Sequence, residues 1–390
     1  MTDVLGFTVG AAAAGVKTGT PTRTDVALIV SDRVCNAAGL FTTNEVIAAP
    51  CVVTRRHLEK GHLRGIVVNS GNANACTGEQ GEQHAVMMAR AAAQRIGCDP
   101  YEVAVASTGV IGVPLPVERI MRAVKDIGLR PGEWMEVAKA IMTTDTKPKN
   151  IGMDVRLEAG TVHLRGVAKG AGMIHPNMAT MLAFLVTDAD VAAEELQELL
   201  EDAADESFNL ISIDGDTSTN DTLLLLANGA SGIQPRGDDL KEFAASVRGL
   251  CEVLAREILA DGEGVTKVFE VRVSGAASAE DARRAARTIT TSNLVKTAIH
   301  GADPNWGRII AAAGRSGAKV DQNKASVHIA DVAVFVQGSP RAFDANAVRR
   351  VFEQKDITIG VDLGVGDESG RAWGTDLSPE YVRINAEYTT

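Results

Sequence analysis

Residues 169–184 of this 390-residue chain read KGAGMIHPNMATMLAF. The glycines favour an irregular backbone in the first part of this stretch, and the apolar residues from Met181 onward are typical of a buried strand. Thr180 stands at the junction. It is either an ordinary β-branched strand residue or a nucleophile, because cleavage before Thr180 would free an α-amine that can take the proton of its own hydroxyl. The pKa of an α-amine, about 8, suits that task.

On both sides of this junction, short apolar runs alternate with helical patterns. Strands are predicted at residues 26–30, 65–69, 103–106, 222–227, 268–273 and 326–335, with a final one at 357–360. Helices are predicted at 82–96 (ended by Gly97), at 131–142 (opened by Pro131), after a cap at Asp190, at about 240–259, and after a cap at Ser278. This grouping predicts a layered α+β architecture with a domain boundary near residues 265–280.

Composition excludes several classes of protein. Lys+Arg total 39 against Asp+Glu 50, a net charge of −11, which lacks the basic footprint of a nucleic-acid binder and the cationic face of a membrane-surface protein. The sequence has no apolar run long enough to span a bilayer. Its first residues have neither the positive region nor the long apolar region of a secretory signal, so we expect none. Five cysteines without a CxxC pair argue against a disulfide scaffold or zinc site. We therefore expect a reduced, cytoplasmic enzyme.

Two features near the junction attract attention but have simpler interpretations. Asp214, Asp216 and Asp221 do not complete a calcium-binding loop, so we expect them to cap backbone groups and expect no metal. His175 is followed by Pro176 and has no evident carboxylate to orient it. We interpret His175 as structural, with a role in cleavage left open.

Further stretches occur in a fixed order: STGVIG at 107–112, TTDT at 143–146, SIDGDTSTND at 212–221 and INAEYTT at 384–390. Together with residues 169–184, they resemble the ornithine acetyltransferase (ArgJ) family over essentially the whole chain. The resemblance implies an N-terminal-nucleophile enzyme with an α+β fold. Its core would be a layered helix–sheet–sheet–helix structure of the ArgJ/DmpA kind. A catalytic domain would cover residues 1–270, and a smaller C-terminal α+β domain would cover residues 271–390.

The resemblance also implies an activity. The precursor would cut itself between Ala179 and Thr180, and the α-chain (1–179) and β-chain (180–390) would stay associated, as an α2β2 heterotetramer. Thr180 would carry an acetyl group from N2-acetyl-L-ornithine to L-glutamate in arginine biosynthesis. No cofactor is implied, and the use of acetyl-CoA as a further acetyl donor stays open.

Specific residues take roles from this resemblance. Thr108 and Gly109 would form the oxyanion hole, since acyl transfer needs donors aimed at the developing oxyanion. Lys169 would be the anion partner in the substrate pocket, and Glu263, between two glycines, would hold the ammonium of ornithine. The predicted substrate-binding set is Thr143 or Thr144 (undecided), Lys169, Thr180, Glu263, Asn385 and Thr390.

Three other interpretations stay open at the level of sequence. An aminopeptidase or amidohydrolase of related fold would use the same kind of nucleophile but pass the acyl group to water. A similar acetyltransferase could serve specialised metabolism. A non-catalytic binding protein would have lost self-cleavage, although retention of Thr180, Thr108, Gly109 and Lys169 together argues against that class.

Overall fold

A computed structural model describes residues 3–175 and 181–387. Its strands are β1 (Phe7–Ala12), β2 (Val26–Phe41), β3 (His62–Asn72), β4 (Val103–Val110), β5 (Lys149–Leu157), β6 (Gly160–Lys169), β7 (Leu182–Thr187), β8 (Ile211–Ser212), β9 (Thr222–Ala227), β10 (Val268–Ala276), β11 (Ser326–Ile329), β12 (Val332–Val336), β13 (Ser339–Pro340), β14 (Asp356–Asp362) and β15 (Glu368–Thr375). Its α-helices are α1 (Ala49–Leu58), α2 (Gly78–Ile96), α3 (Val117–Asp126), α4 (Trp134–Ala140), α5 (Ala193–Asp205), α6 (Asp238–Ala260), α7 (Ala279–Thr290), α8 (Asn293–His300), α9 (Trp306–Gly314), α10 (Ala345–Phe352) and α11 (Pro379–Glu387).

The first sheet has the strand order β4-β3-β2-β9-β7-β6-β5, with β1 paired to β2 beside this path. The long strand β2 joins its two halves. Residues 26–30 of β2 pair with β3, and residues 36–41 pair with β9, on either side of a break in register. Strands β4 and β6 are separated by four strands in this order, yet the side chains of Thr108 and Lys169 touch. The sheet therefore folds over itself into two facing layers.

The apolar pattern of the strands fills the space between these layers. Strand β7 is buried throughout, and its side chains alternate between two cores. Phe184 packs in the core between the sheet layers, together with Ile66 of β3. Leu185 faces the other way, onto α5 and α6, while Val67 of β3 faces α2 and α3. The order of layers is helix, sheet, sheet, helix, so the predicted core architecture is confirmed.

The second sheet has the order β13-β12-β11-β14-β10-β15-β8. Helices α7 to α10 cover one face through a core that includes Phe269, Ile289, Ile309 and Val348. Strand β8 reaches this sheet from the earlier part of the chain and pairs in parallel with β15. The division into domains 1–270 and 271–390 stays a prediction.

Most predicted elements are present, and the differences have local causes. Gly97 ends α2 with a left-handed φ of 79°, and the Ser278 side chain caps α7, both as predicted. Asp190 does not cap α5, which starts after Ala192 without a side-chain cap. The predicted helix at 131–142 is shorter, since α4 covers Trp134–Ala140.

Two strand predictions are also corrected. The predicted strand at 326–335 is split into β11 and β12 by a turn at Ala330, which has a φ of 46°. The last predicted strand is at residues 357–360, but the structure has one more strand, β15, after it. Its sequence ESGRAWGT contains two glycines and only a terminal β-branched residue, so its pattern is weak. In the described residues, no helix is long and apolar enough to cross a lipid bilayer.

Phe184→Ala tests the core between the sheet layers. Phe184 is fully buried, so truncation removes a large apolar side chain and leaves a cavity. We expect a loss of about 3–5 kcal/mol in the free energy of unfolding, measured by urea denaturation. Leu294→Ala is the control, because Leu294 is 61% exposed and its truncation should change stability by less than about 0.5 kcal/mol. Equal, small losses in both variants would contradict the facing-layer core.

Candidate active site

A pocket of about 100 Å³ opens where the ends of β4 and β6 meet. Its lining comes from residues far apart in sequence: Lys17, Arg23, Gly71, Ala73, Thr108, Gly109, Val110, Ile111, Thr143, Thr144, Lys169, Gly172, Met173, Ser218, Thr219, Asn220, Glu263 and Asn385. All the predicted site residues that the structure describes are in this set. Ala179, Thr180 and Thr390 lie outside the described residues.

Thr108 and Gly109 lie inside β4, which extends four residues beyond the strand predicted at 103–106. The pairing of β3 with β4 is irregular here, and Gly109 has a φ of 133°. A Cβ on Gly109 would lie 2.3 Å from the carbonyl carbon of Gly71. Only glycine allows this close approach of the two strands. The irregular pairing places the Thr108 side chain and the Gly109 backbone at the pocket wall.

Lys169 ends β6 and is 3% exposed. Its Nζ donates to Oγ1 of Thr108 at 3.2 Å. Burial lowers the pKa of Lys169, because the charged form loses its hydration, while the Asp145 carboxylate acts in the opposite direction. A buried cation beside Thr108 is suited to hold an anionic group of a substrate or of a reaction intermediate.

A second buried lysine, Lys149, holds the walls of the pocket together. Its Nζ donates to Asp145 and to Asp261, each at 2.7 Å, and the side chains of all three residues are nearly or fully buried. Asp145 also accepts from the backbone N–H groups of Thr143 at 3.0 Å and Gly170 at 2.8 Å. One ammonium group and one carboxylate thus fix the Thr143–Thr144 segment against the residue that follows Lys169.

The same network reaches Glu263. Asp261 accepts from the backbone N–H groups of Thr146 and Lys147 and from the Thr146 hydroxyl. Two residues later, the N–H of Glu263 donates to the carbonyl of Ala171 at 2.8 Å. Glu263 is 8% exposed, so it does not face bulk solvent.

The Glu263 carboxylate meets two other parts of the chain. Asn385 donates to its Oε2 at 2.9 Å, which attaches the C-terminal helix α11 to the pocket. A Cβ on Gly172 would lie 2.6 Å from the same oxygen, so a larger residue there would displace the Glu263 carboxylate. Tyr381, also in α11, donates its hydroxyl to Asp214 at 3.3 Å. The helix that leads to the C-terminal residues is therefore docked at two points beside the pocket.

Asp221 lies directly before β9, and in the folded chain it contacts Met181, the residue that follows the predicted nucleophile. Its Oδ1 accepts from the N–H of Met181 at 3.1 Å. The carboxyl is fully buried, and burial raises its pKa well above the usual range, although the Met181 N–H and the Lys169 ammonium oppose the shift. The carboxyl therefore anchors the residue that follows position 180.

Asp214 caps backbone groups, as predicted, by accepting from the N–H groups of Met173 and Ile174. His175 contacts the Ser212 hydroxyl through Nδ1 at 3.2 Å, and burial lowers its pKa. In residues 3–175 and 181–387, no group of three or more His, Cys, Asp or Glu side chains is arranged to hold a metal ion.

Several residues of the site were not singled out from the sequence. Asp145 lies inside the TTDT stretch and Asp261 precedes Glu263 by two residues, so position beside predicted residues is a usable signal. Lys149 has no such signal, because a lone lysine near a strand is usually solvated. Lys17 and Arg23 also line the pocket without any sequence motif of their own.

Similarity to known proteins shows the family of this chain. The model of the ArgJ family matches residues 8–390. The chain belongs to the ArgJ family. The arginine biosynthesis bifunctional protein ArgJ of Symbiobacterium thermophilum is 48% identical, with 100% of this chain and 98% of that protein covered. The glutamate N-acetyltransferase of Methanopyrus kandleri is 47% identical, with 94% of this chain and 95% of that protein covered.

A solved structure shares the fold. The crystal structure of arginine biosynthesis bifunctional protein ArgJ from Bacillus halodurans matches with a TM-score of 0.51 and 42% identity. The match covers 53% of this chain and 98% of that chain. The resemblance to the ArgJ family, which the sequence stretches indicated, is therefore confirmed.

The buried network makes stability depend on pH in a defined window. Burial alone would raise the pKa of Asp145, but the Lys169 and Lys149 ammonium groups and its hydrogen bonds lower it to about 2. Asp145 therefore stabilises the fold above the unfolded pKa of about 3.9, by about 2–3 kcal/mol. This contribution is lost as the pH falls from about 4 to about 2.

Lys149→Gln should remove the part of that contribution that the Lys149 ammonium supplies at neutral pH, and stability should fall less between pH 4 and pH 2. Urea denaturation over this pH range measures both effects. Lys139→Gln is the control, because Lys139 is exposed and pairs with Glu136 at the surface. If the two variants show the same dependence of stability on pH, Lys149 does not set the pKa of Asp145.

Proposed function

We propose that this chain is a self-processing glutamate N-acetyltransferase of arginine biosynthesis, which transfers acetyl from N2-acetyl-L-ornithine to L-glutamate through acetyl-Thr180. The observation that carries the proposal is the contact of buried Lys169 with Thr108, beside Gly109, at the pocket wall. Lys169 also pairs with Leu182, which begins β7 two residues after Thr180. Membership of the ArgJ family and the relatives named above support the same activity.

The first half-reaction begins at Thr180. Its α-amine, freed by cleavage after Ala179, takes the proton of the Thr180 hydroxyl, and Oγ attacks the acetyl carbonyl carbon of N-acetylornithine. Thr108 and Gly109 stabilise the oxyanion that forms on the carbonyl oxygen. The bond from the acetyl carbon to the ornithine nitrogen breaks, and that nitrogen leaves with the proton. Acetyl-Thr180 and ornithine result.

The second half-reaction reverses these steps with another amine. The α-amine of glutamate attacks the ester carbonyl of acetyl-Thr180, and the same two groups stabilise the oxyanion. The bond to Thr180 Oγ breaks, Oγ regains a proton, and N-acetylglutamate leaves. The scheme is ping-pong, because ornithine departs before glutamate reacts.

The remaining site residues bind the substrates. Lys169 binds an anionic group, and Glu263, oriented by Asn385, binds the side-chain ammonium of ornithine. Thr143 or Thr144 and the C-terminal Thr390 complete the substrate-binding set.

The α-chain (1–179) and β-chain (180–390) stay associated, in an α2β2 heterotetramer. Five free cysteines suit a reducing cytoplasm. Acetyl-CoA as a further donor stays open.

Thr180→Ala tests the nucleophile. Wild-type protein should show two masses that split at the Ala179–Thr180 bond, and the β-chain should gain one acetyl group when N-acetylornithine is added. The variant should show one uncut mass of about 41 kDa and no transfer, because it has no hydroxyl for either reaction. Intact-mass spectrometry under denaturing conditions measures these species.

The same samples separate the proposal from its rivals. Release of free acetate without N-acetylglutamate would indicate a hydrolase instead of a transferase. An uncut Thr180→Ala chain that keeps full activity would refute the proposed nucleophile. An uncut wild-type chain that binds N-acetylornithine without turnover would indicate a non-catalytic protein.

A further inference from the structure

Two cations at the pocket have no role in the mechanism above. Lys17 and Arg23 both lie on the segment between β1 and β2, and both line the pocket beside Thr108, Gly109 and the Thr143–Thr144 segment. They also border a smaller adjoining space of about 70 Å³ together with Thr18, Thr20 and Thr22. Asp25, Ser70 and Gly71 complete the lining of this smaller space, so it contains two cations, several hydroxyl groups and one carboxyl.

The segment that carries these cations is held in a defined position. Asp25 is buried and accepts from the backbone N–H groups of Ala14 at 2.6 Å and Val16 at 2.7 Å. A Cβ on Gly71 would lie 3.0 Å from Cβ of Lys17, so the segment packs directly on the end of β3. These contacts fix the conformation of the loop that carries the two cations.

Arg23 is oriented toward the pocket wall. Its Nη2 donates to the carbonyl of Met142 at 3.0 Å and lies 3.5 Å from Oγ of Ser70. Ser70 in turn donates to the carbonyl of Ala140, at the end of α4. These contacts place the guanidinium beside Thr143, where the end of β3 meets the segment that follows α4. A guanidinium has five N–H donors, so it can hold these oxygens and also bind a carboxylate.

The two substrates of the proposed reaction make opposite demands on this pocket. Both present a nitrogen at the acetyl group and an α-carboxylate, but the side chain of ornithine ends in an ammonium and that of glutamate in a carboxylate. Glu263 suits the ammonium and repels the second carboxylate. Lys169 is placed against Thr108, where the shared part of the substrates reacts. Arg23, whose guanidinium contacts carbonyl and hydroxyl oxygens, is suited to the acceptor side chain, and Lys17 lines the same pocket.

We propose that Arg23, assisted by Lys17, forms the subsite that binds the side-chain carboxylate of glutamate. This inference rests on the proposed function and adds the source of acceptor specificity. Glu263 and Asn385 form the wall that recognises the donor side chain, and Arg23 with Ser70 forms the wall that recognises the acceptor. The two half-reactions thus use the same nucleophile but different ends of the pocket.

The test compares the two half-reactions in Arg23→Ala. Acetyl-enzyme formation from N-acetylornithine, followed by the mass of the β-chain, should keep its wild-type rate. The KM for glutamate should rise by at least about fivefold with little change in kcat, and Arg23→Lys should recover part of the loss. Wild-type enzyme should prefer glutamate over its neutral analogue glutamine, and Arg23→Ala should lose most of that preference.

Two further variants give matched controls. Glu263→Gln should show the opposite pattern, with a raised KM for N-acetylornithine and no loss of preference for glutamate over glutamine. Arg119 contacts the same loop through the Gly15 carbonyl at 3.3 Å but does not line the pocket. Arg119→Ala should therefore leave the KM for glutamate unchanged.

Several results would overturn the assignment. The subsite is absent if Arg23→Ala keeps the wild-type KM and the preference for glutamate, or if Arg119→Ala reproduces its defect. A defect confined to activity with acetyl-CoA would assign the cations to phosphate groups of that donor. Wild-type enzyme that forms no acetyl-enzyme from N-acetylornithine would instead refute the proposed function.

Discussion

The site depends on one buried ion cluster, the Lys149 ammonium between the carboxylates of Asp145 and Asp261. Two carboxylates without this cation would be costly to bury, because neither could be solvated. With it, their remaining lone pairs take backbone N–H groups from segments that line the pocket. The hydrogen bonds and ion pairs that stabilise these buried charges thus fix the relative positions of the segments around Thr143, Gly170 and Asp261.

The cluster also explains why the predicted substrate residues lie together. Thr143 is held through Asp145, Lys169 precedes the Gly170 N–H that Asp145 accepts, and Glu263 follows Asp261 by two residues. Because their backbones are attached to one cluster, a change in the cluster would displace all of them at once.

Much of this arrangement could be predicted from the sequence. The buried strands at 222–227 and 65–69 are continuous apolar runs, and Gly97 and Ser278 give clear helix boundaries, so local chemistry was sufficient there. The site residues were identified through resemblance to a family, since a lysine or threonine in a loop carries no such local signal. The structure brings the described ones together in one pocket.

Other features could not be predicted because they depend on tertiary contacts. Strand β15 has glycines where it packs closely on α7 and Phe269, so its pattern looks like a loop. Lys149 is buried only because two distant carboxylates surround it. Arg23 is positioned at the pocket by the Met142 carbonyl and the Ser70 hydroxyl, and the sequence does not show these contacts. In each case the partner lies far away in the sequence.

The strand order determines whether folding or the proposed cleavage has to come first. Strands β7 and β9 follow the proposed cut and are inserted between β2 and β6, which precede it. A piece ending at residue 179 would leave unpaired edges inside what becomes one continuous sheet, and such edges invite aggregation. Folding of the intact precursor therefore has to come first. Once cut, the two pieces are interlocked neighbours in a single sheet, which can separate only by unfolding.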